Sequence, residues 1–152
     1  MPSKPAIENL DWINVVDRCW RQARALHPEL PTCRVAIGAP RRSPAHTLGA
    51  WTASESRLWL SPTLEHAPAE QVLGVVLHEA AHALGSARGV QDTSRQGRYH
   101  GATFMGLAAE LGLCPSEGRP SGLGWDRPAP GTLVAYRAQL AALRRAGCEA
   151  LR

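Results

Sequence analysis

A helix that carries two histidines on one face is the strongest constraint this sequence places on its fold. Residues 68–84 open with Pro68 and Glu70, which suit a first helical turn and the positive end of a helix dipole. Leu73, Leu77, Ala80 and Leu84 then recur at helical spacing before Gly85. Set into that stripe is His78-Glu79-Ala80-Ala81-His82. Residues four apart on a helix project from the same face, so the two imidazoles can grip one metal ion. Glu79 stands about 100° round the axis from His78, beside such an ion but off its ligand vector, where a carboxylate can take a proton from water. With 6 His in 152 residues, chance yields this spacing only about 0.01 times per chain of this composition, so the motif is informative.

Two histidines do not complete a catalytic site, which wants three protein ligands and one position for water. One extended pattern, H-E-x-x-H-x-x-G-x-x-H, supplies the third from the same segment. Here Gly85 is present, but Arg88 stands at the ligand position, and a guanidinium does not bind zinc. The remaining candidates are His100, eighteen residues after His82, and Glu110. His100 is the better one. The spacing predicts a helix over 100–111, with His100 opening it on the same stripe as Phe104, Leu107 and Leu111, and packing of that stripe on the His78–His82 helix brings the third imidazole to the pair.

The surrounding chain reads as α+β. Trp12, Val16, Cys19, Trp20, Ala23 and Leu26 predict a helix over 7–26, stopped by His27-Pro28 and Pro31. Short β-type runs follow at 33–38, 47–53 and 57–60, the last two forming a hairpin across Ser54-Glu55-Ser56. Segment 86–99 reads as a loop, 113–131 as a Pro- and Gly-rich excursion, and 132–146 as a closing helix through Leu133, Tyr136, Leu140 and Leu143. One domain is expected over 1–152, with an N-terminal helix, a small three-stranded antiparallel or mixed sheet, the motif helix, a third-ligand helix and a C-terminal helix at 132–147.

Composition excludes several classes. Hydrophobic residues make up 44% and charged residues 20%, which argues against wholesale disorder. Apolar stretches such as 73–77 are too short to span a bilayer, and the start MPSKPAIENLDW has no apolar signal core, so an intracellular, cytoplasmic protein without a membrane partner is expected. Cysteines at 19, 33, 114 and 148 form no C-x-x-C pair, so neither a zinc ribbon nor a disulfide framework is expected. The net charge of +4 is mild. Arg18, Arg21 and Arg24 form a stripe on the first helix, and Arg41-Arg42, Arg88, Arg95 and Arg98 fall in predicted loops. A solvated face with salt bridges is the expected reading of such arginines ahead of a nucleic-acid patch.

The run V-V-L-H-E-A-A-H-A-L, followed by R-Y-H-G-A-T-F-M-G-L-A-A-E-L-G-L, resembles a SprT-like metallopeptidase domain, the group that includes Spartan. Those domains place a histidine about twenty residues after H-E-x-x-H and an aromatic four residues later, the position of Phe104. Leu48-Gly49-Ala50-Trp51 and Leu58-Trp59-Leu60-Ser61 fit the two strands before their zinc helix. The resemblance covers about 30–113, and the C-terminal zinc ribbon that many members use on DNA is missing from the chain. It implies a zincin-like fold, one catalytic Zn2+ on His78, His82 and His100, and hydrolysis of a protein or peptide with Glu79 as general base. DNA-associated proteins are the substrates it suggests. A second oxyanion donor would come from Tyr99, Arg98, His46 or Tyr136. The strand Arg57, Leu58, Trp59, Leu60, if at a sheet edge, could pair with an extended substrate. The competing expectation is a zinc-stabilised module that binds DNA or protein without useful proteolysis.

Overall fold

In the computed structural model the described residues are 10–40, 48–90, 93–94, 99–100, 102–115 and 125–147, with 93–94 and 99–100 described for their backbone alone. The first amphipathic stretch forms α1 (Leu10–Leu26), which buries Trp12, Val15, Val16, Cys19, Trp20 and Ala23 along one face. Its exit is pinned by side chains. The Trp20 indole donates to the Pro31 carbonyl at 2.8 Å, and Arg24 donates to the Leu30 carbonyl at 3.0 Å.

Three strands follow: β1 (Arg34–Ile37), β2 (Gly49–Thr52) and β3 (Arg57–Leu60). Their order is β1-β3-β2, with β1 parallel to β3 and β2 antiparallel to it, so the sheet is mixed. The expected hairpin forms, with Ser56 taking the left-handed conformation (φ 48°) that closes a short connection. In register, Val35, Leu58 and Trp51 lie across one face and Ala36, Trp59 and Ala50 across the other. The first row packs inward, where Trp51 stacks on Trp20 with centroids 5.2 Å apart.

The motif helix is α2 (Ala69–Ala87), and it sits at the centre, touching α1, β2 and the elements after it. Thirteen of its nineteen residues are buried. A helix apolar nearly all round is one covered on several sides. It runs past Gly85, and the left-handed stop falls at Gly89 (φ 68°) after Arg88. A two-residue ladder joins β4 (Thr93–Ser94) to β5 (Tyr99–His100), pairing Thr93 with His100. The helix expected over 100–111 therefore begins later, as α3 (Ala102–Glu110), and His100 belongs to the strand before it rather than to the Phe104 stripe. The backbone of 99–100 finds its hydrogen-bond partners in β4, which a helical start would have left unused.

The excursion at 113–131 is tied at both ends, because β6 (Leu113–Cys114) pairs with β7 (Arg127–Pro128). The closing helix is two pieces, α4 (Pro130–Ala135) and α5 (Arg137–Ala146), hinged at Tyr136 (φ −107°, ψ 18°). Pro130 starts it two residues early, as proline favours the first helical position. Cys19 is buried and unpaired, and burial pushes its thiol up to about 12, so it is a protonated packing group. Among the described residues no helix is long and apolar enough to cross a membrane.

Candidate metal centre

Helical geometry alone puts His78 and His82 one turn apart on α2, and their ring centroids lie 5.1 Å from each other at 73°. One potential donor atom from each of His78, Glu79 and His82 lies within 4.8 Å of the others. This group could hold a metal ion. The histidines are half-buried, while Glu79 is buried at 7% exposure. Phe104 from α3 is fully buried against both imidazoles, with centroids at 4.8 Å from His78 and 4.5 Å from His82. Its ring limits the rotation of the pair.

The orientation of His78 has a second support. Its Nδ1 lies 3.0 Å from the Trp125 carbonyl oxygen. A carbonyl only accepts, so Nδ1 must donate, and the neutral ring then carries its lone pair on Nε2. That tautomer is the one a metal-ligating histidine adopts when a backbone carbonyl steers it. The donor chemistry thus fits a borderline-soft divalent ion such as zinc.

Two glycines let the backbone come close enough to build this arrangement. Segment 125–128 crosses α2 at Gly74, where a Cβ would stand 1.9 Å from the Asp126 carbonyl oxygen. On the other side β2 crosses at Gly49, where a Cβ would stand 2.6 Å from Val75 Cγ1 and 3.3 Å from Glu79 Cγ. Between the two crossings lies a cleft of about 230 Å³ lined by Leu48, Gly49, Val75, His78, Glu79 and Asp126.

The other sequence candidates fall in different places. Glu110 is not in the cluster, because Arg88 binds both its carboxylate oxygens at 2.7 and 3.0 Å while also holding Glu29 at 2.8 and 3.1 Å. Arg88, at the position where a third histidine was sought, instead fastens α2 to the α1–β1 connection and to α3. The hydrogen bonds from Arg88 hold Glu29 and Glu110 below the usual carboxylate range. Tyr136 is removed from the set of oxyanion donors: it is 2% exposed, and burial, with Cys19 nearby, pushes its hydroxyl up. Its packing role is the one its place in the helical stripe suggested.

Nor can Arg57, Leu58, Trp59 and Leu60 receive a substrate strand, since β3 is the middle strand with both neighbours in place. Among the described residues the outer strand bordering the cleft is β2. His46 and Arg98 lie outside the described residues, as do the side chains of Tyr99 and His100. Of the arginines, Arg21 pairs with Asp17 at 2.8 Å and Arg24 caps the α1 exit.

Sequence reasoning missed Trp125 and Gly74. A glycine inside an apolar helix costs ~1 kcal/mol against alanine, so Gly74 was itself a signal that another backbone passes there. Trp125 gave none, since only its carbonyl takes part and it lies 47 residues from His78. No family model, curated protein or solved structure matches the chain, so the reading of this centre rests on its own geometry.

Proposed function

We propose that the protein is a zinc-dependent peptide hydrolase of SprT-like kind, with His78, His82 and His100 as ligands and Glu79 as general base. The observation that carries the reading is the steered imidazole pair with a carboxylate beside it: the His78–Trp125 hydrogen bond selects the metal-competent tautomer, and Glu79 lines the same cleft. His100 is supported by chain reach. It stands four residues before Phe104, which touches both rings, and four residues span at most ~14 Å.

His78, His82 and His100 would hold the zinc, which when bound would supply Lewis acidity to a water, whose pKa would fall toward ~7, and to a carbonyl oxygen. Glu79 takes the proton from the attacking water and passes it to the leaving amine. Its burial beside Gly49 of β2 holds the carboxylate in the cleft next to the imidazole pair. Trp125 and Phe104 hold the imidazoles in orientation, so little reorganisation is needed when substrate arrives. An extended peptide laid along the outer strand β2 would bring its backbone past Gly49 and Glu79. Arg24 and Arg88 are engaged within the fold, and a protein or peptide is the partner proposed to meet the site.

The test combines metal analysis with cleavage of a disordered protein by wild type and Glu79→Gln, each with and without single-stranded DNA. One zinc per chain in both proteins is expected, together with a loss of cleavage by Glu79→Gln of about 100-fold or more. Equal rates would remove Glu79 as base. Zinc at full occupancy with both proteins inert on every substrate and DNA form would favour a zinc-stabilised binding module.

A further inference from the structure

The cleft beside Glu79 continues along the N-terminal half of α2. A second cavity of about 310 Å³ lies there, lined by Leu48 on the β2 side, Val75 and Gln71 on α2, and the 126–128 segment opposite. Leu48, Val75 and Asp126 border both spaces, so the two form one groove that ends at His78 and Glu79.

Three properties limit what this groove can hold. At about 310 Å³ the extension stands at the small end of the range of about 300 to 1,000 Å³ that ligand pockets fill, room for a side chain rather than a large cofactor. Its surface is largely carbon, with Leu48 39% exposed above a nearly buried Val75 and a buried Pro128. Its charged members carry both signs, Glu70 at the far end bound by Arg144, and Asp126 and Arg127 both exposed at its rim. A charged side chain entering it would lose hydration without gaining a net opposite charge.

The groove is also continuous with the strand edge on which a peptide would lie. Along an extended peptide alternate side chains point the same way, so one held against β2 directs a side chain into the groove beside the residue presented to Glu79. We infer that the groove formed by Leu48, Val75 and Pro128 is a specificity subsite for an uncharged aliphatic or aromatic side chain adjoining the scissile bond. The inference rests on the hydrolase reading.

Binding can be measured apart from hydrolysis by titrating zinc-loaded Glu79→Gln protein into fluorescent peptide amides. The peptides share one sequence and carry Leu, Phe, Ala, Asp or Lys at a single position scanned along it, and anisotropy is read. At one position Leu and Phe are expected to bind roughly tenfold more tightly than Ala, Asp or Lys. Leu48→Asp, at an exposed position, and Gln71→Trp, which narrows the far end from an exposed helix face, should each erase that preference. Indifference to the side chain at every position, no binding, or a preference unchanged in both variants would overturn the subsite. The same peptides given to wild type separate the two ideas. Selective binding without cleavage by wild type removes the hydrolase reading and leaves the groove as a side-chain-binding site only, whereas cleavage without selectivity keeps the hydrolase and overturns the subsite.

Discussion

At the scale of single residues, the motif places three potential donors together and other residues decide how they point. His78 owes its tautomer to the Trp125 carbonyl, and that carbonyl owes its place to the notch at Gly74. Adding one methyl group there must push the 125–128 backbone off the helix, since 1.9 Å is far inside any van der Waals contact. Gly74→Ala is therefore expected to weaken zinc binding by about 10- to 100-fold, the usual effect of losing the partner that orients a ligand. Overpacking should also lower stability by ~1–3 kcal/mol. Competition against a chromophoric chelator reads the first effect and thermal unfolding the second. Unchanged zinc affinity in a folded Gly74→Ala protein would show that Trp125 does not steer His78. His78 and His82 were legible in the sequence because i and i+4 on a helix coincide whatever the rest of the chain does. Trp125 was not, because a main-chain acceptor leaves no mark in the side-chain pattern.

Among the elements, α2 is held to its neighbours by apolar burial along most of its length, by the Glu70–Arg144 pair with α5 in its first turn, and by an ionic clasp at its C-terminal end. Arg88 bridges Glu29 and Glu110, both of whose carboxyls it holds below their ordinary range. A depressed folded-state pKa contributes stability that is complete above the unfolded value, ~4.3 for glutamate, and is lost as pH falls through the folded value. The expected outcome is that wild type and Arg88→Met differ in Tm at pH 7 and low salt, and that the difference shrinks as pH is taken below about 4. Added salt should shrink it at pH 7 as well, since these groups are exposed. A gap independent of both pH and salt would mean that Arg88 acts through its aliphatic stem. The helix pattern and the β2–β3 hairpin could be read from periodicity and turn residues. The parallel pairing of β1 with β3 and the two-residue β4–β5 ladder could not, because neither carries a pattern longer than four residues.

For the whole molecule, the proposed ligands come from α2 and from β5, two elements joined by eleven residues from Arg88 to Arg98. An ion shared between them favours the folded state over the unfolded one by mass action. Zinc at ~1,000 times its dissociation constant adds ~4 kcal/mol, so chelation should lower Tm by roughly ten degrees in a domain of this size. His100→Ala should abolish most of that shift, and calorimetry with and without chelator measures both. An undiminished zinc-dependent shift in His100→Ala would transfer the third-ligand role elsewhere.

What the amino-acid order determined alone was local: a helix over α2, two imidazoles on one face of it, a carboxylate beside them, and an apolar stripe on α3 with Phe104 in phase. These follow from the rise and turn of a helix and from side-chain hydrophobicity, which act over a few residues. Tertiary structure decided the rest. It set β3 in the middle of the sheet, leaving β2 beside the cleft, engaged Glu110 with Arg88, buried Tyr136, and brought a carbonyl from residue 125 onto His78. Those outcomes depend on which surfaces pack when the whole chain closes, and no local spacing records that choice.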